Sequence, residues 1–176
     1  MATQDIDVTD DFLEPQIDIT NQACEGEEIV LEVPTYQGVD VRYDWTIPST
    51  VNVTGLNTNT LIINPVDTGL HQGNYSVVIT IDDCVVTSDT FNLETLGSPT
   101  VDPTIVSGTL CAGSVLELAA NATNAATYEW SGPDGFSSSL PNPRINEVSI
   151  LNNGQYGVTV TNSSGCVAVG LSLIHI

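Results

Sequence analysis

The sequence predicts an all-β protein made of two small β-sandwich domains in tandem. The first observation is an internal repeat of cysteine, glycine, tyrosine and tryptophan residues in one order. The two sets are Cys24, Gly26, Tyr43, Trp45, Gly73, Tyr75, Cys84 and Cys111, Gly113, Tyr128, Trp130, Gly154, Tyr156, Cys166. The second is an apolar period of two along most segments, which is typical of half-buried strands. Anchors duplicated over roughly 80 residues indicate duplicated domains.

The first repeat reads as a series of strands. Ile29, Leu31 and Val33 alternate with polar or smaller residues, so we expect one face of this strand to be buried. Trp45 lies in phase with other apolar residues of the next strand, which places its ring in the core rather than on the surface. The predicted strands cover residues 16–20, 28–33, 41–47, 60–64, 75–81 and 85–96.

The second repeat has the same alternation. Its residues Leu116, Leu118, Tyr128 and Trp130 correspond to Ile29, Leu31, Tyr43 and Trp45. We therefore expect Tyr75, Tyr156, Trp45 and Trp130 to form the centres of two cores. Nothing in the chain reads as a helix of useful length. The predicted organisation is an acidic linker over 1–13, domains over 14–97 and 98–170, and a tail over 171–176.

The tail has a second interpretation. Its six residues, LSLIHI, match one reading frame of a common sequencing adapter, and they follow a last strand that looks truncated at residue 170. We interpret them as read-through rather than as part of the natural protein. Because leucine and isoleucine alternate with polar residues, we still expect the tail to pair as a strand beside Val160.

The charge excludes two classes of partner. The chain has 22 acidic residues against two basic ones, Arg42 and Arg144, for a net charge of −20. Binding to nucleic acid or to an anionic lipid surface needs basic residues, so we expect neither partner. No apolar run is long enough to cross a bilayer. The first 20 residues lack the basic and apolar regions of a signal peptide, so any export signal lies outside this chain.

Catalytic and metal-binding motifs are weak. The two histidines, His71 and His175, do not assemble into a triad, and the cysteines are too widely spaced for a zinc site. Clustered carboxylates at Asp10 with Asp11 and at Asp82 with Asp83 are candidate calcium ligands, although no D-x-D-x-D-G loop is present. The interpretation as solvated surface acids competes with this one. We therefore predict no enzymatic activity and no cofactor other than calcium.

The combination C-x-G, Y-x-W, G-x-Y and a cysteine before the last strand resembles the immunoglobulin-like and PKD-like repeats of large Bacteroidota surface proteins. The run from Tyr128 to Phe136 is especially similar. The resemblance implies two tandem Ig-like β-sandwiches, export by the type IX route, and roles in adhesion or gliding. Gly73-x-Tyr75 and Gly154-x-Tyr156 look like tyrosine corners, in which the hydroxyl bonds to nearby backbone. Valines at 77 and 158 replace the cysteine of antibody domains.

The disulfide pairing has two alternatives. Pairing within each repeat, Cys24 with Cys84 and Cys111 with Cys166, is the default because each repeat carries two cysteines. In the Ig topology, however, these positions fall at opposite ends of a sandwich, and a disulfide needs Cα atoms within about 7 Å. The alternative joins Cys24 to Cys166 and leaves Cys84 and Cys111 for neighbouring repeats.

The sequence thus favours a non-enzymatic extracellular module, a stalk or adhesin segment of a larger bacterial surface protein. Its expected partners are neighbouring repeats of the same chain, and surface glycans or proteins. The alternative is a carbohydrate-binding or calcium-stiffened spacer of a secreted multidomain hydrolase. Exposed aromatic residues would favour sugar binding, and Tyr36, Phe12 and Phe136 are the candidates.

Overall fold

A computed structural model of the chain describes residues 15–82, 84–108 and 110–175. The chain divides into two compact units, Met1–Thr95 and Leu96–Ile176. Each unit has its own strands and its own apolar core. The predicted linker over 1–13 and the candidate ligands Asp10, Asp11 and Asp83 lie outside the described residues.

The described part of the first unit contains eight strands, each antiparallel to its partners. The strands are β1 (Asp18–Ile19), β2 (Ile29–Glu32), β3 (Val41–Thr46), β4 (Val53–Thr54), β5 (Thr60–Ile63), β6 (Gly73–Ile81), β7 (Cys84–Thr87) and β8 (Phe91–Leu93). Strand β4 was not predicted, because two residues beside a turn carry no readable alternation.

Two sheets form the described part of the first unit. One has the order β1-β2-β5-β4, and the other has the order β3-β6-β7 with β8 also paired to β6. This is the order of a constant-type immunoglobulin sandwich. The alternation explains the packing, because Ile29, Leu31, Leu61 and Ile63 all have no exposed surface and face the core from paired strands.

The last strand of the first unit differs from the prediction of one segment over 85–96. It is split into β7 and β8, both paired to β6. Val78 lies opposite Thr87 whereas Tyr75 lies opposite Phe91, so the returning strand has one extra residue. At this bulge the Val77 N–H donates to the Ser88 hydroxyl at 2.9 Å. A side-chain oxygen therefore replaces the expected backbone acceptor.

The described part of the second unit contains seven strands and two short 3-10 turns. The strands are β9 (Thr104–Ile105), β10 (Leu116–Ala119), β11 (Thr127–Ser131), β12 (Ser137–Ser138), β13 (Arg144–Ile145), β14 (Gly154–Thr161) and β15 (Val167–Ile174), and the turns are Pro133–Gly135 and Ile150–Asn152. Their sheet orders are β13-β10-β9 and β12-β11-β14-β15. These orders again give an Ig-like sandwich, with the short β12 added beside β11.

Strand β15 continues through the suspected tail. Leu171 pairs with Gly157 and Ile174 pairs with Gly154, in register with Val167 opposite Thr161. The tail therefore pairs with β14 as expected over residues 171–174, but opposite Gly154 to Gly157 rather than beside Val160, which lies opposite Ala168. Ile174 has no exposed surface and belongs to the second core, so the tail contributes to packing as well as to the sheet.

Candidate functional site

The four cysteines occupy two kinds of position, and each kind occurs once in each repeat. Cys24 and Cys111 precede β2 and β10, and we call them the entry cysteines. Cys84 and Cys166 follow β6 and β14, and we call them the return cysteines. Each repeat therefore has one entry cysteine and one return cysteine.

The two entry cysteines lie in turns with the same hydrogen bonds. After Cys24, Gly26 has φ +86° and its N–H donates to Val66 O at 2.9 Å, while the Val66 N–H donates to Glu27 O at 2.8 Å. After Cys111, Gly113 also has φ +86° and its N–H donates to Val148 O at 2.7 Å. A positive φ suits glycine, which explains the C-x-G spacing in both repeats.

The chain closes both entry turns in the same way. The Glu27 N–H donates to Cys24 O at 3.1 Å, and the Ser114 N–H donates to Cys111 O at 3.0 Å. In the second repeat the Val148 N–H donates to Ser114 O at 3.0 Å, as Val66 does to Glu27. The backbone around the two entry cysteines is therefore held by matching contacts.

The two return cysteines lie opposite equivalent residues of the preceding strand. Cys84 pairs with Ile81, the sixth residue after Tyr75. Asn162 is the sixth residue after Tyr156, and its N–H donates to Cys166 O at 3.0 Å. The connection is one residue longer in the second repeat, but the extra residue lies between Asn162 and Cys166 and leaves the position of the cysteine opposite the strand unchanged.

The oxidation states separate the cysteines into two that are bonded and two that are thiols. Cys24 and Cys166 are each disulfide-bonded. Cys84 and Cys111 are free and exposed. The exposed fraction follows the bonding, because Cys24 is 6% exposed and Cys166 is 1% exposed.

The default prediction of pairing within each repeat is therefore wrong. In the Ig-like order of the first unit the chain reverses between β2 and β3, and β3 is antiparallel to β6. Strands β2 and β6 thus run in the same direction, so Cys24 before β2 and Cys84 after β6 lie at opposite ends of the sandwich. A disulfide requires much closer Cα atoms than that separation allows.

The predicted core residues are buried in both units. Trp130 is 1% exposed and its Nε1–H donates to Leu140 O at 2.9 Å. Trp45 is 9% exposed and its Nε1–H donates to Thr58 O at 2.8 Å. Each indole thus has an apolar ring in the core and a satisfied polar atom near the edge, which leaves neither ring available to stack on a sugar.

Both tyrosine corners are present. The Tyr75 hydroxyl donates to His71 O at 2.7 Å, and the Tyr156 hydroxyl donates to Asn152 O at 3.0 Å. Both side chains have no exposed surface. Burial raises the pKa of Tyr75 from 10.0 to about 12. Burial, with the charge of Asp134 as a smaller cause, also raises the pKa of Tyr156.

The residue four positions before each corner tyrosine is a buried polar residue that the sequence analysis missed. His71 has no exposed surface; its Nδ1 accepts from the Asp67 N–H at 2.8 Å, and its Nε2 lies 2.7 Å from Val51 O. Since Nδ1 accepts, Nε2 carries the proton and donates. Asn152 in the second repeat accepts from the Ser149 N–H at 2.8 Å. In the sequence, the signal for this pair was that both residues lie four positions before a corner tyrosine.

The calcium candidate Asp82 has another role in the structure. Its Oδ1 accepts from the N–H groups of Val39 and Asp40, both at 3.0 Å, and so it holds the loop before β3. Within the described residues, no group of three or more His, Cys, Asp or Glu side chains has a metal-binding arrangement. The candidates Asp10, Asp11 and Asp83 lie outside those residues.

The aromatic candidates for sugar binding pack against the cores. Phe136 contacts Tyr156 with ring centroids 5.5 Å apart, and it lies against the second core. Tyr36 lies against the first core, and the Tyr36 N–H donates to the Tyr43 hydroxyl at 3.3 Å. Phe12 lies outside the described residues. Neither described side chain stands as a free platform on which a sugar ring could stack.

The second unit has a surface cavity of about 350 Å³. Its polar lining includes Glu117, Arg144, Asn121 and Asn142. Arg144 donates to the Glu117 carboxylate at 2.9 Å, so the two charges neutralise each other. Arg42 is likewise paired with Asp40.

No helix in the described residues is long and apolar enough to cross a bilayer.

No protein-family model and no curated protein matches the chain. Among solved structures, the chain is similar to the N-terminal eight Ig domains of Down Syndrome Cell Adhesion Molecule isoform 1.30.30. The identity is 16% and the TM-score is 0.56, over 93% of this chain and 27% of that one. The likeness supports two tandem Ig-like sandwiches and, at this identity, concerns the fold alone.

Two further solved structures have lower TM-scores. The three N-terminal domains of the bacteriophage RB49 Highly Immunogenic Outer Capsid protein give 20% identity and a TM-score of 0.42, over 91% of this chain and 58% of that one. The amphioxus IgVJ-C2 molecule gives 14% identity and a TM-score of 0.39, over 89% and 99%.

Proposed function

We propose that this chain is a non-enzymatic extracellular repeat module that serves as a stalk or adhesin segment of a larger bacterial surface protein. The proposal rests on the positions of the residues that are duplicated between the two repeats. Tryptophan and tyrosine anchors are buried and hydrogen-bonded inside each sandwich. The duplicated residues that are exposed are the free thiols of Cys84 and Cys111.

The disulfide supports an extracellular location. Bonds of this kind form and persist in oxidising compartments and are rare in the cytosol. The disulfide-bonded state of Cys24 and Cys166 therefore fits an exported protein. Export by the type IX route and an origin in Bacteroidota follow from the resemblance of the repeats and belong to the same proposal.

The surface charge supports a spacer or protein-binding role. A net charge of −20, with both arginines beside carboxylates, repels nucleic acid and anionic lipids. Neighbouring repeats of the same chain are its first partners. Surface proteins and glycans are the partners of the adhesin form of the proposal.

Surface labelling tests the proposal. An antibody raised against the chain should stain intact cells of the producing organism to the same extent as permeabilised cells. Staining that requires permeabilisation would contradict an extracellular role. An antibody against a cytosolic protein is the control for cell integrity.

Sugar binding by the chain would support the alternative, a carbohydrate-binding spacer of a secreted hydrolase. Because Tyr36 and Phe136 pack against the cores, we expect no signal above background on a glycan array. A specific signal that is lost in Tyr36→Ala or Phe136→Ala, with the fold intact by circular dichroism, would establish the alternative instead.

A further inference from the structure

We propose that the outer edge of β15 is a docking surface for a second copy of this chain, in which the two β15 strands pair antiparallel. Strand β15 is the last in the order β12-β11-β14-β15, so within the described residues one of its edges is paired to β14 and the other ends the sheet. The contact lies wholly within the second unit. The inference goes beyond the proposed function and does not depend on it.

The outer side of β15 is an unbroken row of aliphatic side chains. Inward and outward residues alternate along the strand, and the four outward ones are between 45% and 65% exposed: Val167, Val169, Leu171 and Leu173. A single exposed valine or leucine is ordinary on a protein surface, whereas four in one row form a contiguous patch of the kind that marks an interaction site. Val167 and Val169 precede the suspected tail, so half of the row does not depend on how residues 171–176 are interpreted.

The face beside this row is flat and polar. Gly157 lies opposite Leu171, and a Cβ built on Gly157 would lie 3.3 Å from the Leu171 side chain, so the leucine covers the position. Thr159 lies opposite Val169, and Glu129 of the next strand lies opposite Thr159. The carboxylate is therefore two strands away from the row, which keeps the edge itself apolar.

The distribution of charge favours a second copy as the partner. Residues 148–176 contain no Asp, Glu, Lys or Arg, although the whole chain has a net charge of −20. Two copies repel each other over most of their surface, and the repulsion is weakest where neither copy carries charge. A basic partner would be attracted to the acidic remainder of the chain instead. The uncharged row is thus complementary to itself.

The strand is also complementary to itself in register. In an antiparallel pair, residues directly opposite each other lie on the same face of the sheet. When Gly170 of one copy lies opposite Gly170 of the other, Val169 faces Leu171 and Val167 faces Leu173 in both directions. Each exposed aliphatic residue of the row then has an aliphatic partner, and the contact has the two-fold symmetry of an isologous dimer.

The segment that packs beneath β15 bonds to the other sheet. A Cβ built on Gly170 would lie 2.4 Å from Pro103 and 3.3 Å from Val101, so this segment covers the inner side of the strand. Its backbone points elsewhere, because the Asp102 N–H donates to Ala120 O at 3.1 Å. The segment therefore leaves the hydrogen-bonding edge of β15 to a partner.

The equivalent edge of the first unit is protected against such pairing. There the returning strand is interrupted by the bulge at Ser88, and the exposed Asp89 follows it. Bulges and charged residues are two devices by which natural sheets prevent edge-to-edge contacts. Strand β15 has neither over its eight residues. The two repeats thus share one kind of core but differ in the edge they expose.

Sedimentation equilibrium of the chain from about 10 μM to about 1 mM tests for the dimer. Cys84 and Cys111 are first blocked with iodoacetamide, so that disulfides between copies cannot form. One row is small beside the roughly 1,000 Å² of a specific interface, so we expect a weak monomer–dimer equilibrium within this range. A monomer at every concentration would overturn the proposal. Species larger than a dimer would also overturn it, because one edge per copy closes at two.

Salt dependence gives a second criterion. Because the contact is uncharged and the two copies repel elsewhere, salt screens only the repulsion. We therefore expect the dimer to become tighter between about 50 mM and about 500 mM sodium chloride. A dimer that weakens over this range would be held by charged groups and would contradict the proposal.

Val169→Glu places a carboxylate in the middle of the row, and Val85→Glu is the matched control. Both valines are 65% exposed, and each lies on the returning strand of its unit, so neither change removes core packing. We expect Val169→Glu to weaken dimerisation at least roughly tenfold, and Val85→Glu to change it less than about twofold. Equal effects of the two variants would overturn the proposal. Circular dichroism checks that both variants are folded.

Amide hydrogen exchange distinguishes strand pairing from packing of the outer faces alone. The β15 N–H groups that point away from β14 gain carbonyl partners only if the two strands pair. Their exchange should slow as the dimer fraction rises, while exchange in β7 stays constant. A dimer in which these amides exchange at the monomer rate would overturn the proposal. Surface labelling of cells is independent of these results, so failure of the docking surface is distinguishable from failure of the proposed function.

Discussion

Removing the hydroxyl of Tyr75 tests the tyrosine corner of the first sandwich. In Tyr75→Phe, the buried His71 carbonyl loses the donor that lies 2.7 Å away. Leaving a buried acceptor unsatisfied costs about 1 to 3 kcal/mol. The phenyl ring keeps its packing, because only one oxygen is removed. We therefore expect the free energy of unfolding of the first sandwich to fall by about 1 to 3 kcal/mol at neutral pH.

The same substitution changes the response to alkaline pH. The folded-state pKa of Tyr75 is about 12, above the ordinary tyrosine value of 10.0, so the unfolded chain loses the phenolic proton first. The stability that this group contributes is complete below about pH 10 and is lost as pH rises toward 12. A shift of this size corresponds to roughly 3 kcal/mol, at 1.36 kcal/mol per pKa unit. Tyr75→Phe should lack this loss.

Urea denaturation followed by tryptophan fluorescence measures both effects. Trp130→Phe in the background leaves Trp45 as the reporter of the first sandwich. Tyr156→Phe is the matched control, since it removes the equivalent hydroxyl from the second sandwich and should leave the Trp45 transition in place. An unchanged midpoint in Tyr75→Phe at pH 7, or an undiminished loss of stability from pH 10 to 12, would refute the reasoning.

Three further predictions concern packing and metal binding. Trp130→Ala should lower the free energy of unfolding of the second sandwich by about 3 to 5 kcal/mol in urea, because it empties the centre of a small core; a loss below about 1 kcal/mol would place the ring elsewhere. Gly154→Ala should lower the melting temperature, because its φ is +137° and a Cβ would lie 2.9 Å from Pro133, whereas Gly97→Ala, with open space around it, should not. A chelator should leave the melting temperature unchanged if Asp82 only holds its loop; a clear decrease would instead reveal a calcium site.

The sequence alone was sufficient for the fold class and the two cores. Alternation is a local property: the period of two places Ile29, Leu31 and their counterparts on one face whatever the rest of the chain does. The internal repeat then showed that the same core is built twice. Burial of Trp45 and Trp130 and the hydroxyl contacts of the corner tyrosines followed from the same spacing.

Sequence reasoning did not resolve features that depend on neighbours across the sheet. The bulge at Ser88 reflects the register between β6 and two segments of the returning strand, and no pattern within residues 84–93 reveals it. The buried position of His71 depends on Val51, 20 residues away in the chain. Asp82 looked like a metal ligand because Val39 and Asp40, whose N–H groups its carboxylate accepts from, lie 43 and 42 residues earlier in the chain.

The pairing of the cysteines was decided by tertiary structure alone. The sequence showed two cysteines per repeat and two possible pairings, but composition could not choose between them. A disulfide requires two Cα atoms a few ångströms apart, and that proximity depends on the direction in which each strand runs. Because β2 and β6 run the same way, Cys24 and Cys84 are separated by the length of the sandwich, and Cys84 is a free thiol whereas Cys24 is disulfide-bonded.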